Sequence, residues 1–348
     1  MAPLSFAASI LDFFPGLGAI QKIDALAGAG GFSGSIIFQV HCDAGLFCLK
    51  GWSEETSPRR LAWIHQVVSS AGRHLIFVPI PRTAADGATF VNLAGRLWEL
   101  TPWLPGRADF QANPTPTRLA AAMHALAKFH LTVAPLAPAQ AAPSQALLSR
   151  SGQLQELLHG KLLTLECAVR KEPNHALFPL ADELLRLFTT VAPSVAGELS
   201  QIVTMVTPLQ IAIRDVWHDH LLFTGDELTG LIDYGALRIE SPVGDLARLL
   251  GSLVQDDRDA WLFAIQEYQT LAPLSADQQR LLSAFDHSGT LLSGISWLTW
   301  LFLEKRVFDD HSKIAARLRK NIARLRHLSI VPAISNGAAD IARPGCRA

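Results

Sequence analysis

Two aspartates and a histidine lie close together in residues 211–235, and their types and spacing suit them to handle a phosphate group. Asp215 and Asp233 each lie at an end of an apolar, strand-like run. Residues 224–227 between the runs supply the Gly and Asp that a tight turn needs. A hairpin of this kind brings Asp215, His220 and Asp233 to one rim of a cleft. Phosphoryl transfer requires such a group, namely two carboxylates and a third ligand around a metal-bound phosphate.

These residues resemble the aminoglycoside/choline phosphotransferase family, the small-molecule relatives of protein kinases. The catalytic loop of that family reads His-Gly-Asp, four residues, then Asn, and its hairpin ends in Asp-Phe-Gly or Asp-Tyr-Gly. Here the loop reads Ile-Arg-Asp at residues 213–215, four residues, then His220, and the hairpin ends in Asp-Tyr-Gly at residues 233–235. The resemblance covers roughly residues 24–255.

The resemblance implies a two-lobed, protein-kinase-like α+β fold. A small antiparallel-sheet lobe, residues 1–100, would bind the nucleotide, and a larger, mainly helical lobe, residues 101–330, would bind the substrate and carry the catalytic loop. Residues 331–348 are rich in Pro and Gly, which predicts a frayed tail.

The roles of the loop residues follow from the same resemblance. Asp215 is expected to act as the base that accepts the proton of the acceptor hydroxyl, and Asp233 as a metal ligand beside the β- and γ-phosphates. Arg214 precedes the base, as an arginine does in protein kinases. Three roles are open for it: it neutralises a phosphate, it pairs with a carboxylate such as Asp233 or Asp245, or it faces solvent.

His220 stands where the family has Asn, and Mg²⁺ prefers hard oxygen ligands. Three interpretations are open. His220 binds the second metal through a neutral imidazole and favours Mn²⁺, or it holds Asp215 or a metal-bound water by a hydrogen bond. In the third, the second metal site is lost, which leaves a weak kinase or a nucleotide-binding pseudokinase.

A rival interpretation treats residues 217–220, Trp-His-Asp-His, as a metal site in their own right. His218 and His220 would lie on one side of an extended segment, which suits Zn²⁺ in a metal-dependent hydrolase. Asp215 and Asp219 are the other ligands at short range.

A Gly-rich turn precedes a predicted hairpin at residues 35–50. Glycines let a backbone approach phosphates closely and present its N–H groups to them. Lys50 closes the return strand and, like the strand lysine of kinases, would reach the α- and β-phosphates. The turn residues expected to contact the nucleotide are Gly28, Gly30, Gly31, Ser33 and Gly34.

Residues 58–72 have a helical period, with Ser57 as the N-cap. In the family this helix carries a Glu that pairs with the strand lysine, and here Glu54 and Glu55 are the candidates for that pair. Residues 97–106, which include Glu99, resemble the hinge that holds the adenine edge, so Glu99 is expected at the nucleotide.

Further elements are predicted from patterning. Residues 76–79 and 88–99 predict two or three strands with a turn at residues 86–87, and residues 118–131 predict a helix. Residues 132–147 read as a connecting loop, and residues 153–170 and 180–205 as helices. Asp245 is expected to cap a helix and brace the catalytic loop.

Composition limits the function classes. The 348 residues are 49% hydrophobic and 18% charged with a net charge of −1, so no basic field points to nucleic acid and no polybasic stretch to a membrane. The four scattered cysteines are typical of buried thiols in a reducing compartment, and the N-terminus lacks a basic region typical of a signal peptide. A cytoplasmic location is therefore expected, and the oligomeric state is open.

The expected function is ATP-dependent transfer of phosphate to a hydroxyl of a small molecule, with GTP possible in place of ATP and Mn²⁺ in place of Mg²⁺. The resemblance suggests an amino alcohol, an amino sugar or a sugar as acceptor. Acidic residues at 256, 257, 259 and 267 are candidates to receive a cationic acceptor, although such charges more often form a solvated face. The alternative is a catalytically impaired nucleotide-binding protein.

Overall fold

A computed structural model describes residues 4–26, 34–308 and 310–330. Its contacts divide the described residues into two compact units. The first unit lies within Met1–Gln140, Gln210–Leu253 and Asp259–Pro273. The second lies within Ala141–Leu209, Val254–Arg258 and Leu274–Ala348. The lobe boundary near residue 100 stays a prediction.

The strands are β1 (Ile20–Ala25), β2 (Ile36–Cys42), β3 (Gly45–Gly51), β4 (Val91–Leu93), β5 (Arg96–Pro102), β6 (Gln140–Pro143), β7 (Val206–Ala212), β8 (Leu221–Thr224), β9 (Glu227–Leu231) and β10 (Arg238–Glu240). The α-helices are α1 (Leu4–Leu11), α2 (Pro58–Gly72), α3 (Pro116–Val133), α4 (Gln145–Glu156), α5 (Leu162–Arg170), α6 (Phe178–Ile202), α7 (Val243–Leu253), α8 (Arg258–Gln269), α9 (Ala276–Leu298) and α10 (His311–Ile330). Short 3-10 turns form at Ala134–Leu136 and His218–His220, and π-helical turns at Leu157–Lys161 and Thr299–Leu303. The α+β class is thereby confirmed.

An antiparallel sheet with the strand order β1-β2-β3-β5-β4 forms the N-terminal part of the first unit. Phe38 and Val40 of β2 and Leu49 of β3 are buried at alternate positions, and they pack with α1 and Trp98 in one core cluster. Because side chains alternate across a strand, Lys50 faces the side of the sheet opposite Leu49.

Helix α2 confirms the prediction for residues 58–72. The Ser57 side chain accepts a hydrogen bond from the Arg60 backbone N–H at 3.3 Å, and Pro58 occupies the first turn. Its buried face carries Leu61 and Ile64, and also the polar His65.

No strand forms at residues 76–79, so that prediction was wrong. Pro79 and Pro81 have no N–H to donate to a sheet, and Ile76 is 94% exposed. The Phe77 carbonyl accepts a hydrogen bond from the Leu231 backbone N–H at 2.7 Å, outside any strand pairing. The turn predicted at residues 86–87 therefore does not join two strands.

Helix α3 extends the predicted helix to Pro116–Val133, capped by Thr115. Residues 116–136 are long and apolar enough to cross a membrane by length and composition, but half of the tested window is buried inside the structure. A buried core helix passes the same test, and α3 packs through residues such as Leu119, Met123 and Phe129.

The second unit is mainly helical. Its helices correspond to the helices predicted at 153–170 and 180–205, and the apolar run at 291–303 forms the end of α9 and the following π-helical turn. The predicted loop at 132–147 instead contains β6 and the start of α4. Cys167 is free and exposed on α5, which corrects its expected burial.

Candidate active site

The hairpin predicted around residues 224–227 is confirmed as β8 and β9, with Thr224 opposite Glu227 and Gly225 in the left-handed region at φ 59°. The strand before it, β7, ends at Ala212 and pairs with β10. Residues 213–220 between β7 and β8 form the loop that the sequence predicts to be catalytic, and the hairpin sends the chain back to Asp233. Every site residue described below lies in the first unit.

Asp245, in the first turn of α7, holds the catalytic loop in place. Its carboxylate accepts hydrogen bonds from the backbone N–H groups of Ile213 and Arg214, both at 2.6 Å, and it is 1% exposed. Arg214 adopts a left-handed conformation at φ 69°, which is strained for a residue with a side chain. The two hydrogen bonds fix that turn, so Asp245 braces the loop as predicted.

His130 of α3 supports this brace, a role that the sequence gave no reason to assign. Its Nε2 lies 3.0 Å from an Asp245 carboxylate oxygen, and its Nδ1 lies 2.9 Å from the Tyr268 hydroxyl. His130 is 2% exposed, and burial raises the pKa of Tyr268, with the Asp245 charge adding to the effect. The only sequence signal was a polar residue on the buried face of α3.

The Asp215 side chain is 51% exposed and forms an ion pair with the guanidinium of Arg248 on α7. A half-exposed carboxylate on a braced loop can meet a hydroxyl that arrives from solvent. The pairing with Arg248 depends on how α7 packs on the loop, which the sequence does not reveal.

His220 lies buried beside Asp233. Its Nε2 accepts a hydrogen bond from the Trp217 indole N–H at 2.7 Å and lies 3.7 Å from Asp233 Oδ2. An indole nitrogen can only donate, so Nε2 carries the lone pair. Burial lowers the pKa of His220 and outweighs the opposing charges of Asp233 and Asp215, which keeps the imidazole neutral near pH 7.

Asp233 faces two partners with its two oxygens. Oδ1 lies 3.2 Å from Lys50 Nζ, and Oδ2 is the oxygen near His220. The surrounding protein removes water and would raise the pKa of Asp233, but the charge and hydrogen bond of Lys50 outweigh this and hold it below its ordinary value. Asp233 is therefore an ionised carboxylate with a φ of 65° at the end of the hairpin.

Lys50 lies between Asp233 and Glu99. In the sheet register Lys50 of β3 is directly opposite Glu99 of β5, and its Nζ lies 4.3 Å from the centre of the Trp52 ring. Burial would lower the pKa of Lys50, but the charges of Asp233 and Glu99 outweigh it and raise the pKa. Lys50 is therefore a charged ammonium.

Neither acidic residue predicted to pair with Lys50 does so. Glu54 pairs with Arg96 at 3.2 Å, and the backbone N–H of Glu55 binds the Ser53 hydroxyl at 3.3 Å. The neighbouring carboxylate is Glu99. The sequence does not reveal this neighbour, because strand register decides it.

Helix α2 contributes a histidine instead of a carboxylate to this region. His65 Nε2 lies 2.5 Å from Glu99 Oε2, and its Nδ1 lies 2.7 Å from the Thr89 hydroxyl. The Glu99 side chain is thus held in the interior beside Lys50. A contact of Glu99 with the nucleotide stays a prediction.

Most of the predicted Gly-rich turn, Gly28, Gly30, Gly31 and Ser33, lies outside the described residues. Gly34 is described, with φ at 70° and its carbonyl accepting a hydrogen bond from Arg96 at 2.9 Å.

Within the described ranges, no three His, Cys, Asp or Glu side chains are placed to hold a metal ion by themselves. His218, predicted as a partner of His220 in a zinc site, lies 3.4 Å from Asp219 instead. Mg²⁺ needs less from the protein, because it is usually held by one or two carboxylates together with phosphate oxygens and water. Asp233 supplies one such carboxylate. His220 Nε2 lies 3.7 Å from Asp233 Oδ2, but its lone pair accepts the Trp217 N–H, so His220 would join Asp233 at a metal ion only after that hydrogen bond breaks.

The sequence pattern of the phosphotransferase enzyme family matches residues 25–281. This match covers most of the chain. The chain belongs to the phosphotransferase enzyme family. A comparison with curated protein sequences gives no match.

Solved structures show the same fold as this phosphotransferase. A spectinomycin phosphotransferase in complex with ADP and spectinomycin matches with a TM-score of 0.63 and 12% identity, over 95% of this chain and 98% of that one. An aminoglycoside phosphotransferase from Alicyclobacillus acidocaldarius matches with a TM-score of 0.61 and 18% identity, over 94% and 95%. A choline/ethanolamine kinase family protein from Mesorhizobium loti matches with a TM-score of 0.57 and 16% identity, over 94% and 95%. The protein-kinase-like fold is thereby confirmed.

Proposed function

We propose that this phosphotransferase moves the γ-phosphoryl group of ATP to a hydroxyl of a small molecule. The observation that carries the proposal is the position of Asp233, whose two oxygens face Lys50 at 3.2 Å and His220 at 3.7 Å. Lys50 thus places a cationic group next to Asp233, and Asp233 and His220 would together hold a metal ion. Asp215 lies on the same loop as His220. This is the arrangement that positions and neutralises a nucleoside triphosphate.

Each residue has a distinct task in the reaction. Lys50 would bind the nucleotide phosphates, while Asp233 and His220 would hold a divalent metal ion. The metal, when bound, neutralises charge on the phosphates. The hydroxyl oxygen of the acceptor bonds to the γ-phosphorus while Asp215 accepts the hydroxyl proton. The bond from that phosphorus to the oxygen that bridges it to the β-phosphate breaks, which releases ADP.

The nucleotide is proposed to be ATP, with GTP as the other candidate, and the metal Mg²⁺ or Mn²⁺. The matched spectinomycin phosphotransferase was solved with ADP in one structure and with AMP in another, which supports an adenine nucleotide. Amino alcohols, amino sugars and sugars are the acceptors that family resemblance implies. A cytoplasmic location stays a prediction.

One observation favours a second candidate, a nucleotide-binding protein without turnover. Asp215 is ion-paired with Arg248, and the His220 lone pair accepts the Trp217 N–H. If both contacts persisted with nucleotide bound, the base and one metal ligand would stay occupied.

Thermal melting with nucleotide and metal tests the proposed site. A ligand that binds the folded state raises the midpoint by mass action, by about 2.7 kcal/mol of stability at one hundred times its dissociation constant. We expect ATP with Mg²⁺ or Mn²⁺ to raise the midpoint in the wild type but much less in Asp233→Ala. Asp12→Ala, at an exposed position outside the site, is the control and should keep the shift. No shift with either nucleotide and either metal would contradict the proposal.

A further inference from the structure

Arg248 makes a single side-chain contact near the reacting centre. Its guanidinium, 43% exposed on α7, pairs with Asp215 Oδ1 and makes no other side-chain hydrogen bond among the described residues. Arginine has five N–H donors in a planar fork that matches carboxylate and phosphate oxygens. Most of this fork is therefore available to a ligand that approaches Asp215.

Three more arginines surround the same loop. Arg60 of α2 donates to the backbone carbonyl of Gly235 at 3.1 Å and to that of Leu237. Arg238 follows Leu237 and lies opposite Ala212 in the pairing of β10 with β7. Arg214 comes two residues after Ala212, so three separate segments bring these arginines close to one another, and Arg214 directly precedes Asp215.

Among the residues that the structure describes, these three arginines have no carboxylate partner. Arg60 binds backbone oxygens, and the exposed side chains of Arg214 and Arg238 make no hydrogen bond or ion pair in the part of the chain that the structure describes. Burial lowers the pKa of Arg60, and the charges of Arg238 and Arg214 lower it further, as expected for cations held close together.

The carboxylates near this group are already engaged. Asp233 pairs with Lys50, Asp215 pairs with Arg248, and Asp245 is buried against two backbone N–H groups and His130. Asp219 on the same loop lies 3.4 Å from His218, and Glu240 of β10 accepts a hydrogen bond from the Ser241 backbone N–H at 2.8 Å. With these carboxylates engaged, the exposed Arg214 and Arg238 and most of the Arg248 fork are available to an anionic ligand.

Two of the acidic residues considered for a cationic acceptor, Glu267 and Asp256, have partners elsewhere. Glu267 lies 2.9 Å from His124 within the first unit, and Asp256 lies 3.1 Å from Arg324 within the second. Both carboxylates are thus bound to groups of their own unit.

We propose that the acceptor carries a carboxylate or phosphate group near its reacting hydroxyl, and that Arg248 and Arg214 bind this group. The inference rests on the proposed phosphotransferase function and narrows its acceptor. An anionic group that takes the Arg248 guanidinium also frees Asp215 to receive the hydroxyl proton. An amino sugar or amino alcohol would instead bring a like charge towards the arginines, which costs binding energy.

Matched acceptors that differ only in charge test this inference. The panel compares glycerate and glycerol 3-phosphate with glycerol and serinol, and gluconate and glucose 6-phosphate with glucose and glucosamine. Binding of each acceptor is measured by calorimetry in the presence of a non-hydrolysable ATP analogue, and turnover is measured by ADP release. We expect anionic members to bind at least about tenfold more tightly than their neutral and cationic counterparts, as charge-assisted hydrogen bonds allow. A difference between the carboxylate and phosphate members identifies the anionic group.

Two variants test whether Arg248 and Arg214 bind the anionic group. Arg248→Gln and Arg214→Gly should each weaken anionic binding about tenfold or more while the affinity for nucleotide stays unchanged. Glycine suits the left-handed position of residue 214, so the second variant should keep the fold. Arg59→Gln, an exposed neighbour on α2, is the control and should leave binding unchanged.

The outcomes separate this inference from the function beneath it. Equal binding of anionic and cationic members, or anionic binding that Arg248→Gln leaves intact, would overturn the inference even if phosphate transfer occurs. If anionic acceptors bind more tightly and this preference requires Arg248, but no ADP is released, the result would support the inference and count against the proposed transfer. If the arginine variants weaken only nucleotide binding, the arginines bind the nucleotide instead of the acceptor, and this result would also overturn the inference.

Discussion

Lys50 Nζ lies 3.2 Å from Asp233 Oδ1, although 183 residues separate the two in the chain. The contact joins β3 to the end of the β8–β9 hairpin. Glu99, opposite Lys50 in the sheet, adds a second negative charge that keeps the lysine charged. Lys50 is thus held where phosphate groups would lie if Asp233 holds the metal.

We expect Lys50→Met to weaken nucleotide binding about 10- to 100-fold, because hydrogen bonds to charged groups contribute about 1.5–3 kcal/mol. Calorimetric titration with the ATP analogue and Mg²⁺ measures the change. Lys22→Met is the control, since Lys22 is 64% exposed on β1 and pairs with Asp24. An unchanged affinity in Lys50→Met would remove Lys50 from the site.

Substitution of His220 tests its proposed role as a metal ligand. The imidazole is neutral, and its Nε2 lone pair lies 3.7 Å from Asp233 Oδ2. We expect His220→Ala to lower metal-dependent activity about 10- to 100-fold. His220→Asn, which restores an oxygen ligand, should recover activity and shift the preference from Mn²⁺ towards Mg²⁺.

ADP release measured across both metals checks this prediction. His74→Asn, at an exposed histidine outside the site, should leave the metal preference unchanged. Full activity in His220→Ala with the wild-type metal preference would mean that His220 binds no metal.

The buried carboxylate of Asp245 should contribute strongly to stability. Asp245→Ala leaves the backbone N–H groups of Ile213 and Arg214 and the ring of His130 without their acceptor. Removing one partner from a buried charged network costs about 3–5 kcal/mol. Urea unfolding should show a loss of this size, whereas Asp12→Ala should change the free energy of unfolding by less than about 0.5 kcal/mol. A loss below about 1 kcal/mol in Asp245→Ala would contradict the bracing role.

The second unit should show a pH-dependent stabilisation from His287 and Glu198, whose Nδ1 and Oε2 atoms lie 2.8 Å apart. Burial would lower the pKa of His287, but Glu198, with Asp286 nearby, outweighs it and raises the pKa above its ordinary 6.5. A raised pKa means that the folded state favours the charged form. The stabilisation is therefore complete below pH 6.5 and is lost as the pH rises through the folded-state pKa.

We therefore expect Glu198→Gln to lower the melting temperature more at pH 6 than at pH 9. The matched control is Glu156→Gln, because Glu156 pairs with a lysine, Lys161, instead of a histidine. Equal losses at both pH values for Glu198→Gln would contradict the assignment.

The parts of the fold that follow local rules could be predicted from the sequence. The Gly225 turn, the Ser57 cap of α2 and the apolar face of α3 each arise from residues close together in the chain. The same holds for the order of Asp215, His220 and Asp233, which led to the family.

Relationships set by tertiary packing could not be predicted in this way. The approach of Glu99 to Lys50 depends on the register of β3 and β5, and the pairing of Arg248 with Asp215 depends on how α7 meets the loop. For His130, the sequence showed only a polar residue on the apolar face of a helix. Such a residue is more often simply packed or at the surface than functional.

The Asp215→Asn variant tests the central claim most directly, because Asn keeps the size of the side chain but cannot accept the hydroxyl proton. The measurement is acceptor-dependent ADP formation together with nucleotide affinity, with Asp226→Asn in the hairpin turn as the control. We predict that Asp215→Asn lowers the rate about 10²- to 10⁴-fold and leaves nucleotide affinity nearly unchanged. A variant that retains full activity would contradict the assignment of Asp215 as the base and, with it, the proposed mechanism.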